Sequence, residues 1–365
     1  MKIVFVTQSI GLGGASKMLC FIAESLAQRG HEIHIINLKS TIVNVPNERV
    51  LSDKINYHIV KDSNKKGLRR FEQIKQIAKI SKHIKADLLV GFTLFPNFMV
   101  SIVGNLLRIP SIMSERGDPK WTFNGGVISK LFLTVINRCT GGVFQTEGAK
   151  HLYGKRLKKN GVVIANPIFI EGDIPVVNQG EREKSVVSVG RLDNYQKRYD
   201  VMLDTFAKFS KKHPEYILKL YGKGMDEEKI ALWVKEKGLE DKVKFMGLTT
   251  KPMEDTARDG MFLITSDFEG ISNSLLEAMA VGLPCVSTDH TPGGARLLIT
   301  DHENGLLAPV EDSERLAAAL CEFAENPELA EICGNNAKDV VNRFAPEKII
   351  NMWENYCIKI AGVKS

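Results

Sequence analysis

Over the first 145 residues, short apolar runs alternate with longer stretches in which apolar positions recur every three or four residues. The runs at 2–6, 32–37, 88–90, 111–114 and 142–145 predict strands, and the spacing between them predicts helices over 15–29, 68–84, 98–107 and 127–138. Short runs without alternation belong to strands covered on both faces, and strand–helix alternation makes the sheet parallel. A strand at 162–165 is followed by Asn166-Pro167 and by a polar stretch, 171–184, whose Gly172, Pro175 and Gly180 read as a linker. The pattern then restarts, with strands at 186–190, 217–221, 243–246, 261–265 and 285–287 and helices near 199–212, 226–237, 273–281 and 312–325. The expectation is an α/β chain of two Rossmann-like domains, 1–170 and 185–343, facing each other across a cleft. Ligands of open parallel sheets bind beyond the carboxyl ends of the strands, so that cleft is the expected site.

Residues 88–107 carry no charge and approach the length of a membrane span. Pro96, Asn97, Gly104 and Asn105 interrupt them, which favours strand, loop and buried helix. The first residues, Met-Lys-Ile-Val-Phe-Val-Thr, lack a signal-peptide layout and read directly as a strand. A length of 365 residues suits two domains of roughly 100–200 each. With 44% apolar and 25% charged residues and no repeat or low-complexity tract, the chain is globular rather than disordered or fibrous. Cys20, Cys139, Cys285, Cys321, Cys333 and Cys357 are scattered through apolar segments without a CxxC pair, as expected of reduced, buried thiols rather than disulfides or a cysteine metal site.

Charge divides the chain. Residues 1–170 hold 25 Lys and Arg against 10 Asp and Glu, net +15, and the remainder is net −9. Lys61, Lys65, Lys66, Arg69, Arg70, Lys75, Lys79, Lys82 and Lys85 crowd one helix and its approach, and Lys120-Trp121-Thr122-Phe123 precedes an apolar-rich helix. Basic residues beside exposed aromatics attract an anionic membrane surface, each charge contributing about 1 kcal/mol. The other reading makes the lysines a solvated helix face and places Trp121 and Phe123 in the core.

Three constellations carry chemistry. Gly11-Leu12-Gly13-Gly14-Ala15 follows the first strand and opens a helix, where backbone N–H groups can receive phosphate. Ser16 and Asn37-Leu38-Lys39 stand where a dinucleotide fingerprint needs a small residue and an acid, which argues against a nicotinamide cofactor. In the second domain Gly190-Arg191 ends a strand and Lys197 lies six residues on, so two cations from one loop can meet a diphosphate. The third is Glu269-Gly270-Ile271-Ser272-Asn273-Ser274, running into a helix that is apolar on nearly every side except at Glu277. A buried carboxylate needs hydrogen-bond donors, which sugar and ribose hydroxyls supply and phosphates do not. Glu277 could instead pair with a buried basic residue.

These motifs, with Asn166-Pro167 before the hinge and Gly247 after a strand, resemble family 4 of the retaining glycosyltransferases, which have the GT-B fold. The resemblance covers nearly the whole chain, and the E-x7-E motif, Glu269 and Glu277, is its most specific part. It implies that Arg191 and Lys197 hold the diphosphate, that Glu277 binds the ribose and Glu269 the transferred sugar. The amides of Gly270, Ile271, Ser272, Asn273 and Ser274, with Gly13, Gly14, Gly190 and Gly247, would complete the donor site. The segment Ser114-Glu115-Arg116-Gly117-Asp118-Pro119 is similar to a signature of bacterial members that build capsule, O-antigen and lipid-linked oligosaccharides. Glu115 stands near where many relatives carry a histidine or aspartate facing the donor sugar, while an Arg116–Asp118 contact merely holding the loop together is the alternative.

The reaction implied by the resemblance is a metal-independent, front-face transfer with retention. The donor is a UDP-sugar, as substrate rather than cofactor, carrying a hexose or an N-acetylhexosamine. The implied acceptor is a glycan or an undecaprenyl-pyrophosphate-linked sugar bound by the first domain, with Arg116, Asp118, Trp121 and Phe123 as acceptor or membrane candidates beside Lys65, Lys66, Arg69 and Arg70. No nucleic-acid partner is expected, and the protein is placed in the cytoplasm, peripherally on the inner face of the membrane. A terminal helix within 344–365 is expected to return to the first domain. A non-hydrolysing sugar-nucleotide epimerase and a non-catalytic nucleotide-sugar sensor remain open alternatives.

Overall fold

The computed structural model describes residues 1–11, 14–38, 51–60, 68–170, 172–177 and 179–362. Leu12, Gly13, Lys39, Lys61, Lys65 and Lys66 lie outside the described residues. The chain divides into two compact units, Met1–Asn166 with Glu347–Ser365, and Pro167–Pro346.

In the first unit, β1 (Lys2–Thr7), β2 (Glu32–Asn37), β3 (Ile55–Ile59), β4 (Leu88–Phe92), β5 (Ser111–Ser114), β6 (Gly141–Phe144) and β7 (Val162–Val163) form one parallel sheet in the order 3-2-1-4-5-6-7. The apolar runs become its buried centre: Phe5 of β1 sits opposite Ile35 on one side and Val90 on the other. β3 was not expected, because its only buried residue is Ile55 and a half-exposed edge strand leaves a weak apolar signal. The charge-free stretch resolves into β4 and the helix Leu94–Leu107, and among the described residues no helix is long and apolar enough to cross a membrane. No disulfide links the six cysteines, all of them buried.

The C-terminal helix Pro346–Ala361 packs within this first unit through its apolar face. Trp353 stacks on Phe92 at 5.8 Å, and the Tyr356 hydroxyl donates to Asn160 O while accepting from Gly142 N–H at 2.8 Å. At the surface Arg29 bonds Asn351, Glu347 and Glu354 along the same helix.

The second unit repeats the plan: β8 (Ser185–Val189), β9 (Ile217–Tyr221), β10 (Val243–Gly247), β11 (Met261–Ile264), β12 (Cys285–Thr288) and β13 (Leu306–Ala308), all parallel, in the order 10-9-8-11-12-13. Helices Tyr199–Lys212 and Ser313–Glu325 cover one face and pack Leu203, Phe206, Leu316 and Leu320 onto Val186, Leu218, Leu263 and Val286. The polar linker is tied down at its end, where Arg182 donates to the carbonyls of Ala257, Asp259, Val281 and Gly282. In each sheet the strand order reverses at one point, between β1 and β4 and between β8 and β11, and the crevice at such a reversal is where ligands bind.

Tyr356→Phe strips partners from a buried N–H and a carbonyl at once. It should lower the unfolding free energy by about 1–3 kcal/mol, read by urea denaturation.

Candidate functional site

β8 and β11 are neighbours, and the loops leaving their carboxyl ends are sewn together although some 70 residues separate them. The first loop contains the short helix Asn194–Lys197, capped by Asp193, and then turns through Arg198 in the left-handed conformation (φ 53°) into the helix Tyr199–Lys212. The second begins at Thr265. Asp267 N–H donates to Gln196 O at 3.1 Å, the Gln196 amide returns a bond to Phe268 O at 3.1 Å, and the Thr265 hydroxyl reaches Lys197 O at 2.9 Å. Arg198 joins Asp267 at 2.6 Å and also holds Asp200 and Glu311.

Within this frame the Lys197 ammonium lies 2.8 Å from both carboxylate oxygens of Glu269, and the two side chains are only 13% and 16% exposed. The Ser266 hydroxyl adds a bond to the same carboxylate at 3.2 Å. Burial alone would raise the Glu269 pKa, yet Lys197 and these hydrogen bonds hold it below the usual carboxylate value. His290, on the loop after β12, contributes only when charged, and its own burial pushes its pKa down, so Lys197 supplies most of that effect. His290 Nδ1 faces Thr291 O at 3.4 Å, a contact that fits the tautomer protonated at Nδ1. In that tautomer its buried Nε2 is an acceptor without a partner among the described residues.

Close backbone approach shapes the floor. Gly222 has φ +143°, and a Cβ there would stand 1.8 Å from Gly190 O, while Gly222 N–H bonds Gly247 O at 2.8 Å. Gly190 and Gly247 are thus tied through Gly222 along the carboxyl edge of the sheet. A Cβ on Gly294 would likewise strike Gly270 O, so the strap 268–271 lies directly against the turn that opens the helix Gly294–Leu298. Gly270 and Ile271 lead to Ser272, which caps the helix Asn273–Ala280 by accepting from Leu275 N–H and touches Ser274 at 3.1 Å. Leu275, Leu276, Ala278, Met279 and Ala280 are buried in this helix; Glu277, expected to be buried, is half-exposed, and Asn273 is likewise only partly covered.

Arg191 and Lys197 take different partners in this structure. Arg191 is 65% exposed and pairs with Asp193 at 3.5 Å, whereas Lys197 turns inward to Glu269. The reason is local: Gln196 and Asp193 offer Arg191 polar partners within its own loop.

In the first unit Gly14 opens the helix Gly14–Gln28 and is exposed. Glu115 is buried, and both of its oxygens are occupied: one by the N–H groups of Arg116 and Gly117, each at 3.0 Å, the other by the Tyr153 hydroxyl at 2.5 Å. These three donors come from its own unit, so in this structure Glu115 organises the loop and does not stand free. The Arg116–Asp118 contact does not form either. Arg116 bonds Asn166, burial lowers its pKa to about 10, and its Nη1 has no partner among the described residues. Asp118 is buried as the cap of the helix Pro119–Thr122, accepting from Lys120 N–H at 2.8 Å. Trp121 is half-buried, and Phe123 packs edge-on against Tyr153 at the core, so the exposed aromatic expected there is not provided by Phe123.

Sequence reasoning missed His290, Ser266, the Arg198–Asp267 pair, and Gln8, just after β1, whose Oε1 is buried without a partner among the described residues. A histidine directly after a buried strand was the available signal for the first. Nothing in the spacing singles out the others.

Two family models match the chain: "Glycosyl transferases group 1" over residues 170–340, nearly all of the second unit, and "Glycosyl transferase 4-like" over 12–124. An uncharacterized glycosyltransferase of Haemophilus influenzae is 28% identical over 359 residues, covering 97% of this chain and 99% of the relative. N-acetylgalactosamine-N,N'-diacetylbacillosaminyl-diphospho-undecaprenol 4-alpha-N-acetylgalactosaminyltransferase of Campylobacter jejuni is 25% identical, over 95% and 97% of the two chains. Among solved structures, Anabaena HepE in complex with UDP superimposes with a TM-score of 0.80 at 19% identity, covering 97% of this chain and 99% of that one. The apo form of the lipopolysaccharide outer core galactosyltransferase WaaB does so with 0.80 at 20%, covering 98% and 99%. The two parallel-sheet α/β units have the GT-B fold, and the matching family models make the chain a glycosyltransferase. Within that class the chain belongs to the family 4-like glycosyltransferases.

Burial outweighs the hydrogen bonds at Glu115 and raises its pKa above the usual carboxylate value. A carboxyl group whose folded pKa is raised favours the fold in acid, and that contribution is lost as the pH climbs through the raised value. Glu115→Gln removes the titration, so the loss of unfolding free energy as the pH rises above the ordinary carboxylate value should be smaller than in wild type, by at most ~1.4 kcal/mol per pH unit, read by urea denaturation across a pH series.

Proposed function

We propose that the protein moves a hexose or N-acetylhexosamine from UDP to a glycan or undecaprenyl-pyrophosphate-linked acceptor in bacterial surface polysaccharide synthesis, with retention and without a metal ion. The observation that carries the reading is the nearly dry Lys197–Glu269 pair at the reversal of the second sheet. It adjoins the amino end of the helix Asn273–Ala280 and the unpaired Nε2 of His290. UDP in the HepE complex and the lipid-diphosphate named for the Campylobacter relative support the donor and acceptor classes.

In this mechanism the acceptor oxygen bonds to the anomeric carbon on the face from which the diphosphate departs. The carbon–oxygen bond to phosphate breaks, and a diphosphate oxygen takes the acceptor proton. Lys197 meets the growing negative charge, joined by Arg191 swinging in from solvent and by backbone N–H groups at the start of the helix Asn273–Ala280. Glu269, released from Lys197, and His290 Nε2 accept hydrogen bonds from sugar hydroxyls. Glu277 takes those of the ribose. The carboxylates that a divalent cation would recruit here are already committed, Asp267 to Arg198 and Glu269 to Lys197. On the acceptor side, the first unit offers Arg116 Nη1 and Gln8 Oε1, a donor and an acceptor buried without partners near the carboxyl ends of β5 and β1.

The same unit supports peripheral docking on an anionic membrane. Val127, Ile128 and Leu131 on the helix Gly126–Ile136 are 84, 71 and 57% exposed, and Phe71 is 67% exposed beside Arg69 and Arg70. The two regions adjoin: Arg70 lies over the Phe95 ring at 3.9 Å, and Phe95 meets Phe132 of that helix at 5.5 Å.

Incubation with UDP-sugars and a lipid-linked acceptor, with the anomer assigned by NMR, tests the reading. Transfer with retention in EDTA is expected; inversion, loss of activity in EDTA, or UDP-sugar epimerisation without transfer would each refute part of it. Lys197→Ala should lower turnover about 10²–10³-fold in a folded protein, and His290→Ala should weaken UDP-sugar binding more than UDP binding, measured by calorimetry. Salt-sensitive sedimentation with anionic but not neutral liposomes is expected, reduced by Ile128→Asp with Leu131→Asp; equal recovery with both lipids would discard the docking surface alone.

A further inference from the structure

The helices Leu94–Leu107 and Gly126–Ile136 run side by side in the first unit. Phe98 stacks on Phe132 at 4.4 Å, the Ser101 hydroxyl donates to Val135 O at 2.5 Å, and the Asn105 amide reaches Arg138 O at 3.5 Å. Both helices end at the edge where β5 starts at Ser111 and β6 at Gly141, opposite the carboxyl ends of the strands. At this edge lies a cavity of about 260 Å³ whose lining includes Asn105, Arg108, Ser111, Arg138, Thr140 and Arg156, with no carboxylate among its lining residues.

The three arginines come from separate segments: the end of one helix, the turn after the next, and the helix Lys155–Asn160. Among the described residues none of them forms a salt bridge, although Arg residues elsewhere in the chain, such as Arg29, Arg198 and Arg296, do. Arg108 is held in the left-handed conformation (φ 56°), which favours glycine, at the end of its helix. All three are exposed at the rim, where water screens their repulsion, and a phosphate seated between them meets several guanidinium forks, which match its oxygens in shape and charge. Thr140 Oγ1 already accepts from Ser111 N–H at 3.1 Å, so its own proton is available to an acceptor inside the cavity.

We propose that this cavity binds a phosphate-bearing anion, in a different unit from Lys197 and Glu269 and at the edge of its own sheet away from the strand ends that bind substrates. The test is calorimetric titration of the full chain with inorganic pyrophosphate in the presence of saturating UDP. One binding event should persist and weaken about tenfold or more in Arg138→Gln with Arg156→Gln, on the scale of losing charged hydrogen bonds. Phenylglyoxal labelling of the unaltered protein, read by mass spectrometry, gives a second measure independent of how the variants fold. Pyrophosphate should slow modification of Arg108, Arg138 and Arg156. Protection by soluble short-chain phosphatidic acid but not by pyrophosphate assigns the phosphate to a lipid headgroup. Loss of all pyrophosphate binding when UDP is added, with no protection of these arginines by either ligand, overturns the site.

Discussion

The candidate site depends on one ion pair that water scarcely reaches. Lys197 and Glu269 sit at the carboxyl ends of adjacent strands, each the principal answer to the other's charge, and the backbone bonds between their loops keep that geometry from relaxing. Removing one partner of such a pair strands the other at a cost of about 3–5 kcal/mol. A ligand that supplies both an anion and hydroxyl donors can separate the pair without leaving either charge bare, which is why a sugar diphosphate suits it.

The surrounding scaffold makes this strain tolerable. Gly222 and Gly294 let backbone segments approach more closely than any side chain would allow, and Arg198 spreads its charge over Asp200, Asp267 and Glu311 so that the acids beside the site are neutralised locally. Two cations of one loop therefore divide the work: Lys197 stays nearly dry and fixed, and Arg191 stays solvated and free to move.

The first unit concentrates positive charge and deploys it in three ways. Arg29 anchors the terminal helix through acids on it, Arg116 is half-buried against Asn166 with its buried Nη1 unpaired among the described residues, and Arg108, Arg138 and Arg156 line a cavity with no acid in its lining. The exposed apolar residues Val127, Ile128 and Leu131 belong to a helix whose other side carries Phe132 into the packing with Phe95 and Phe98.

Much of this was readable in the linear chain because it depends on local pattern. Buried parallel strands need uninterrupted apolar runs, so the central strands and main helices appear within a few residues of their places, as does the Ser272 cap ahead of an apolar helix. β3 and the three-residue β13 escaped because a partly exposed edge strand and a very short one need little apolar sequence and exist only through their neighbours' hydrogen bonds. Motif spacing marked Lys197, Glu269 and Glu277 as special. It could not tell that Lys197 would choose Glu269, 72 residues away, over Arg191's side of the loop. The direction of Glu115 toward Tyr153, of Phe123 toward the core, and of three arginines spread over 48 positions toward one cavity was decided only by packing. Periodicity specifies which face of an element is buried. What a buried polar group meets there depends on which distant segment brings the matching donor or charge, and only the tertiary structure sets that.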